Sequence, residues 1–103
     1  MNKNQINNDQ FQLLRKIGLN PHYSQRHLAN ILGFSLGKLN YCLKALKKKG
    51  LVKIKNFKNN SEKSHYAYLL TPKGISHKSK MVFYFMKQKA KEYEELKKEV
   101  NKK

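Results

Sequence analysis

Residues 34–50 read FSLGKLNYCLKALKKKG, a stretch that carries the signals of an amphipathic helix with two defined ends. Ser35 is a favourable N-cap because its hydroxyl can accept a hydrogen bond from an early backbone N–H. Gly50 suits the left-handed conformation in which many helices end. At 100° per residue, one side of this helix collects apolar residues, namely Leu36, Leu39, Cys42, Leu43 and Leu46. We therefore predict a helix that buries one face and presents the other outward.

A second helix is predicted immediately before this one, with Ser24 as its N-cap and Gly33 at its end. Ala29 is small enough to let the two helices approach, and Leu39 and Cys42 can lock the second helix onto the first. This spacing resembles the helix-turn-helix pattern, whose second helix enters the major groove of DNA. The inward residues of the earlier helix are predicted to be Leu28, Ile31 and Leu32. A further helix is predicted from Asp9 to its closing Gly18.

The sequence after Gly50 predicts a β-hairpin. Residues 51–57 and 66–70 are two β-prone runs, and the polar segment KNNSEKSH separates them. A basic hairpin that follows a recognition helix is a wing, which can reach phosphate or the neighbouring minor groove. The alternative is a hairpin in solvent whose lysines only protect its edges. The lysines assigned to the wing are Lys53, Lys55, Lys58 and Lys63.

The composition favours a polyanionic partner. The 103 residues contain 23 Lys and Arg against 6 Asp and Glu, for a formal net charge of +17. Nucleic acid, an anionic membrane surface and an acidic protein are all compatible with this charge. A membrane-surface helix would place Trp or Phe beside its lysines, whereas the helix at 34–50 has a Leu and Cys face with capped ends. The charge pattern therefore favours nucleic acid.

Other classes of protein find little support in the sequence. There is no apolar run that resembles a signal peptide or a membrane span, so we expect a cytoplasmic protein without membrane contact. The single cysteine excludes an intrachain disulfide and is expected in the core. The four histidines have no partners at zinc-binding spacing, and no catalytic pair, nucleophile elbow or glycine-rich phosphate loop is present. We expect no metal, no cofactor and no enzymatic activity.

The C-terminal residues predict a long helix that pairs with another copy. Thr71 is a suitable cap, and Pro72 suits the first helical position. Beyond them, apolar residues recur at steps of four or seven, and aromatic residues occupy several sides of the helix, which one small domain cannot cover. The residues assigned to dimerisation are Ile75, Val82, Phe83, Phe85, Met86, Tyr93, Leu96 and Val100.

Two stretches together resemble the winged helix-turn-helix of the MarR family of transcriptional regulators: ANILGFSLGKLNYCLKALKKKGLVKI and YAYLLTPKGISHKSK. The resemblance covers roughly residues 11–100 and is strongest to short members associated with exopolysaccharide biosynthesis. It implies a DNA-binding homodimer. One motif departs from the family, because the Asp-x-Arg expected in the wing is replaced by Ser61, Glu62 and Lys63. Arginine insertion into the minor groove therefore does not carry over directly, and Lys63 is its substitute.

The fold expected is mainly α with a small β-hairpin. Residues 1–70 would form a winged helix-turn-helix DNA-binding domain and residues 71–103 a dimerisation helix. The function expected is sequence-specific binding of double-stranded DNA by a homodimer that regulates transcription from a pseudo-palindromic site. The alternative is a winged helix that binds RNA, or nucleic acid of any sequence, through its backbone.

The DNA-contacting residues expected are of two kinds. Those in the recognition helix would reach base edges or nearby phosphates, and those at the start of the preceding helix would hold the phosphate backbone through side chain and helix N-terminus. The recognition-helix residues are Ser35, Gly37, Lys38, Asn40, Tyr41, Lys44 and Lys48, and the backbone-contacting residues are Gln25 and Arg26.

Overall fold

The computed structural model describes residues 6–58 and 64–101, which form four helices and one hairpin. Their order confirms the expected fold of a mainly α winged helix-turn-helix followed by a long helix. The elements are α1 (Asn8–Leu19), α2 (Gln25–Leu32), α3 (Leu36–Lys48), β1 (Val52–Lys58), β2 (Ser64–Leu70) and α4 (Pro72–Asn101).

The helix ends follow the capping chemistry of the sequence. The Oγ of Ser24 accepts a hydrogen bond from the His27 N–H at 3.0 Å, and the Oγ of Ser35 accepts one from the Lys38 N–H at 3.1 Å. Gly33 and Gly50 have positive φ angles of 70° and 74°, which a side chain would disfavour. These contacts confirm the predicted borders of α2 and α3.

The α1 helix differs from its predicted bounds at both ends. Asn7 caps it through a capping box with Gln10, so the helix begins one residue before Asp9. It does not close at Gly18 but continues to Leu19. The prediction that Gly18 closes the helix was wrong, because the C-cap is Asn20, whose N–H donates to the Lys16 carbonyl. A Cβ at Gly18 would lie 3.0 Å from Lys78 Nζ and 3.1 Å from Leu70 Cδ1, so these two side chains would have to shift slightly to make room for it.

One hydrophobic core joins α1, α2, α3 and the start of the hairpin. Its fully buried side chains are Leu13, Leu14, Ile17, Leu28, Leu39, Leu46 and Leu51. Two residues predicted to face inward are instead exposed, Ile31 at 41% and Leu36 at 47%. Ile31 lies in the last turn of the short α2, where Leu32 rather than Ile31 packs against the core. Leu36 lies in the first turn of α3 and lines a surface recess with α2.

The two strands pair antiparallel and confirm the predicted hairpin. The register runs from Val52 opposite Leu70 to Lys58 opposite Ser64. The hairpin is attached to the helices at its base, where the Tyr68 N–H donates to the Pro21 carbonyl at 3.1 Å. Val52, Ala67 and Tyr68 are buried at this end. The base of the hairpin is therefore held against the turn between α1 and α2.

A glycine and a threonine fix the start of α4 against the end of α3. The Thr71 hydroxyl donates to the Gly50 carbonyl at 2.6 Å and accepts from the Gly74 N–H at 2.9 Å. The Thr71 N–H donates to the Leu51 carbonyl at 3.0 Å. Gly74 is buried, and a Cβ there would overlap the Leu51 carbonyl oxygen. The cap at Thr71 was predicted, whereas the need for glycine at 74 was not.

The α4 helix has two parts with different surroundings. In the first part, the Phe85 ring stacks on Phe11 with centroids 5.1 Å apart, and Met81 and Val82 also pack against the core. In the second part, residues 86–101, every residue is exposed. We call these residues the distal segment. It extends beyond the core and contributes to the elongated shape of 67 × 28 × 22 Å.

Candidate nucleic-acid interface

The outer face of α3 is a continuous polar surface opposite the core. Leu39, Cys42, Leu43 and Leu46 are buried, as predicted for the inner face. The residues expected at the DNA groove are exposed on the other side, with Tyr41 accessible over 70% of its surface. These outer residues are Gly37, Asn40, Tyr41, Lys44 and Lys48. Amides and ammonium groups on such a face can bond base edges and phosphates without leaving the helix.

Two residues at the start of α3, the N-cap Ser35 and Lys38, differ from this pattern. The Ser35 hydroxyl is occupied by capping, since it accepts from the Lys38 N–H. The Lys38 side chain bends toward α1, where its Nζ lies 3.0 Å from Asp9 Oδ2 and 4.4 Å from the centre of the Phe34 ring. Its ammonium group therefore contacts the protein rather than the outer face. An exposed pair of this kind is weak, so a phosphate can compete for it.

The start of α2 lies beside a recess of about 530 Å³. Gln25 is half-buried and Arg26 exposed, in the first turn beyond the Ser24 cap. The backbone N–H groups of that turn carry partial positive charge, which together with Arg26 suits an anion such as a phosphate. The recess lies between α2, the start of α3 and strand β2, and its lining is His22, Ser24, Gln25, Arg26, Leu36, Tyr66 and Tyr68.

Tyr66 and His22 are candidate contacts that the sequence analysis did not identify. Tyr66 is 55% exposed on β2 and lines the recess together with His22, which follows the turn after α1. Both can donate a hydrogen bond to a phosphate oxygen. The alternation of Tyr66 and Tyr68 along β2 was a possible signal. Their position next to α2, however, depends on how the hairpin packs.

The strands present basic side chains near this surface. Lys53 and Lys55 are exposed on β1 at the spacing of two that places them on one face of the hairpin. The predicted contact at Lys63 lies outside the described residues, as do the stretch 61–63 and the side chain of Lys58. The wing is therefore defined here by its base and by these two lysines.

The residues assigned to dimerisation lie on α4 and are mostly uncovered. Val82 and Phe85 are half-buried against the protein's own core, and the other six are exposed. Those six exposed residues are Ile75, Phe83, Met86, Tyr93, Leu96 and Val100. A row of this length is unusual for a surface that remains in water.

Cys42 is a core residue on the inner face of α3. Burial raises the pKa of its thiol, the charge of Asp9 raises it further, and Lys38 opposes the shift. The thiol is therefore protonated and poorly nucleophilic at neutral pH. Within the described parts of the chain, no three His, Cys, Asp or Glu residues form a group suited to a metal ion. No helix described there is long and apolar enough to cross a bilayer.

The family model described as winged helix-turn-helix DNA-binding matches residues 10–53, which span α1, α2, α3 and the start of β1. No curated protein sequence matches the chain. The fold is similar to that of zinc-responsive ZitR from Lactococcus lactis, a MarR family member, with a TM-score of 0.70, 22% identity and coverage of 89% of this chain and 61% of that chain.

Two similar structures contain DNA. The repressor CouR bound to a 23-mer duplex has a TM-score of 0.61 and 28% identity, over 75% of this chain and 53% of that chain. The MepR–DNA complex from S. aureus has a TM-score of 0.65 and 20% identity, over 96% and 82% of the two chains. This chain thus spans less than two thirds of the length of ZitR and CouR. It contains a winged helix-turn-helix segment and has the fold of the MarR-family transcriptional regulators.

Proposed function

We propose that the protein binds double-stranded DNA in a sequence-specific manner and regulates transcription. The observation that carries the proposal is the outer face of α3. There Asn40, Tyr41 and Lys44 are exposed, while the opposite face of the helix is buried in the core. An amide can pair with adenine and a lysine with guanine in the major groove. Arg26 on α2 and the two lysines of β1 supply positive charge on neighbouring elements for the phosphate backbone.

The proposed active form is a homodimer that binds a pseudo-palindromic site. The exposed apolar row on α4 supports this, since pairing would remove it from water. In such a dimer the two α3 helices would lie about 34 to 36 Å apart, one turn of B-DNA. Residues 1–70 would then act as the DNA-binding domain and residues 71–103 as the dimerisation helix. We place the protein in the cytoplasm, and the resemblance to short MarR-like proteins suggests exopolysaccharide operons as targets.

Selection of bound duplexes from a random pool tests this function. We expect the recovered sequences to contain an inverted repeat whose half-sites are one helical turn apart. Recovery of no common sequence, or equal affinity for RNA of the same length, would support instead a winged helix that holds nucleic acid by its backbone.

A substitution at Asn40 tests the orientation of α3. We expect Asn40→Ala to lower the preference for the selected site over random duplex by about 1 to 3 kcal/mol, while affinity for random duplex stays close to that of the parent. The control is Asn30→Ala on α2, an exposed asparagine outside the proposed contact set. An unchanged preference in the Asn40 variant would mean that another face of α3 meets the bases.

A further inference from the structure

Asp9 is an acidic residue in an otherwise basic region. Of the six Asp and Glu residues of the chain, four lie between positions 92 and 99, and Glu62 lies outside the described residues. Asp9 is therefore the only acidic side chain among the described residues that precede Glu92. A carboxylate in such a region lowers the attraction for a polyanion, and the size of its effect depends on which cation it faces.

The cation that Asp9 faces belongs to the recognition helix. Asp9 lies in the first turn of α1, and its Oδ2 is 3.0 Å from the Nζ of Lys38 in the first turn of α3. The two side chains keep 41% and 47% of their surface exposed, so both remain in contact with solvent. The N-terminal end of a recognition helix is the end that meets DNA in helix-turn-helix proteins. The ion pair thus joins α1 to the part of α3 that is closest to the proposed partner.

Two further contacts fix the direction of the Lys38 side chain. Its backbone N–H donates to the Ser35 Oγ at 3.1 Å, which holds the residue at the start of the helix. Its ammonium group lies 4.4 Å from the centre of the Phe34 ring, within the range of a cation–π contact. An unrestrained lysine in this turn could extend to a phosphate, whereas these contacts turn the ammonium group toward α1.

We propose that Asp9 restrains Lys38 and thereby limits the affinity of the protein for DNA of any sequence. This inference rests on the proposed DNA-binding function and adds a residue of α1 that acts through Lys38 rather than by touching DNA. A phosphate bound to Lys38 would lie close to the Asp9 carboxylate, and repulsion between the two anions favours one partner at a time. Because every duplex offers phosphates, the restraint lowers sequence-independent binding and leaves the base contacts of α3 unaltered.

The salt dependence of DNA affinity in the full chain tests the restraint. We expect Asp9→Asn, which has the same size, to raise the affinity for random duplex by about threefold to tenfold. The slope of log affinity against log salt concentration should steepen by about 0.9, the value for one added phosphate contact. Affinity for the selected site should rise by the same factor, so the preference between the two duplexes stays the same. Asp9→Glu keeps the charge and should retain the slope of the parent.

A second background separates the action through Lys38 from the charge of Asp9 itself. In a chain that carries Lys38→Ala, Asp9→Asn should leave the slope unchanged, because no ammonium group is released. Glu92→Gln removes the same charge from the distal segment and should also leave the slope near that of the parent.

Three results would overturn the proposal. Equal steepening with and without Lys38 would mean that Asp9 acts by its charge alone. An unchanged slope in the single Asp9→Asn variant would mean that no phosphate contact is gained, and a lower affinity would mean that Asp9 orients Lys38 toward DNA instead of restraining it. Failure of the parent chain to bind any duplex would refute the proposed function itself.

Discussion

Helix α3 and the distal segment of α4 are similar in sequence pattern but opposite in surroundings. Both carry apolar residues on one side and lysines elsewhere, yet Leu46 in α3 is fully buried whereas Leu96 in the distal segment is 57% exposed. The inner face of α3 packs on α1 and α2, whereas every residue of the distal segment is exposed and only its start, at Met86 and Lys89, lies beside α1. An amphipathic pattern thus predicts that a face will be covered, but not whether the same chain covers it.

The same substitution in both helices gives the largest expected difference. We expect Leu46→Ala to lower the free energy of unfolding by about 2 to 5 kcal/mol, because it removes buried methyl groups and leaves a cavity. Leu96→Ala, measured at a concentration where the chain is monomeric, should change it by less than about 0.5 kcal/mol. Urea denaturation checks both values. A large loss in the Leu96 variant under these conditions would mean that the distal segment packs on its own domain.

Two glycines sharpen the comparison between buried and exposed helix positions. We expect Gly74→Ala to lower the free energy of unfolding by about 3 kcal/mol, because a Cβ there overlaps the backbone of Leu51 and α4 must shift away from it. Gly37→Ala should instead stabilise the chain by about 0.5 to 1 kcal/mol, since it is exposed in a helix and its nearest new contact is Ser35 Oγ at 4.0 Å. Thermal unfolding of the two variants should therefore shift in opposite directions.

Two exposed lysines separate the proposed DNA face from the distal segment. We expect Lys44→Ala to reduce the slope of log affinity against log salt concentration by about 0.9, the value for one phosphate contact. Lys91→Ala removes the same charge from the distal segment and should leave the slope nearly unchanged. Titration of a labelled duplex at several salt concentrations measures both. Equal slopes for the two variants would indicate a diffuse charge effect rather than a contact at Lys44.

The smallest expected effect is a pH dependence of folding stability that arises from His77 in the first part of α4. Burial lowers the pKa of His77, and the charges of Lys49, Lys73 and Lys80 lower it further. The unfolded chain therefore takes up the proton first, and stability present above the ordinary pKa of 6.5 is lost as the pH falls through the lower, folded-state pKa.

Removal of the His77 imidazole should weaken the pH dependence of stability. We expect His77→Gln to lose slightly less stability than the parent between about pH 7 and about pH 5. Urea midpoints at each pH provide the measurement, with His22→Gln, an exposed histidine in a turn, as the control. If His77→Gln follows the parent at every pH, the acid sensitivity originates elsewhere.

Prediction from the sequence was most successful where a side chain bonds to backbone groups only a few residues away. Ser24, Ser35 and Thr71 cap the helices they were expected to cap, and the hairpin forms where two β-prone runs flank a polar segment. It was less successful at the borders of the core. Ile31 and Leu36 satisfy the helical period but lie in the last turn of α2 and the first turn of α3, where periodicity does not show whether another element covers them.

In the candidate interface too, features set by local sequence could be predicted, whereas features set by contacts between distant segments could not. The exposed face of α3 follows from the angular spacing of its residues, so the exposure of Asn40, Tyr41 and Lys44 could be predicted from the sequence. The bend of Lys38 toward Asp9 joins two residues far apart along the chain, and no local pattern reveals it. The recess that includes Tyr66 depends likewise on where the hairpin lies against α2.

The sequence by itself determined the helix ends, the hairpin, the basic character and the two faces of α3, because capping, turn geometry and periodicity act over a few residues. Only the tertiary structure decided that Gly74 serves close packing, at which residue α4 leaves the core, and which apolar side chains stay exposed. These features depend on which distant segments meet. Contact between distant segments is set by the shape of the whole core rather than by the residues on either side.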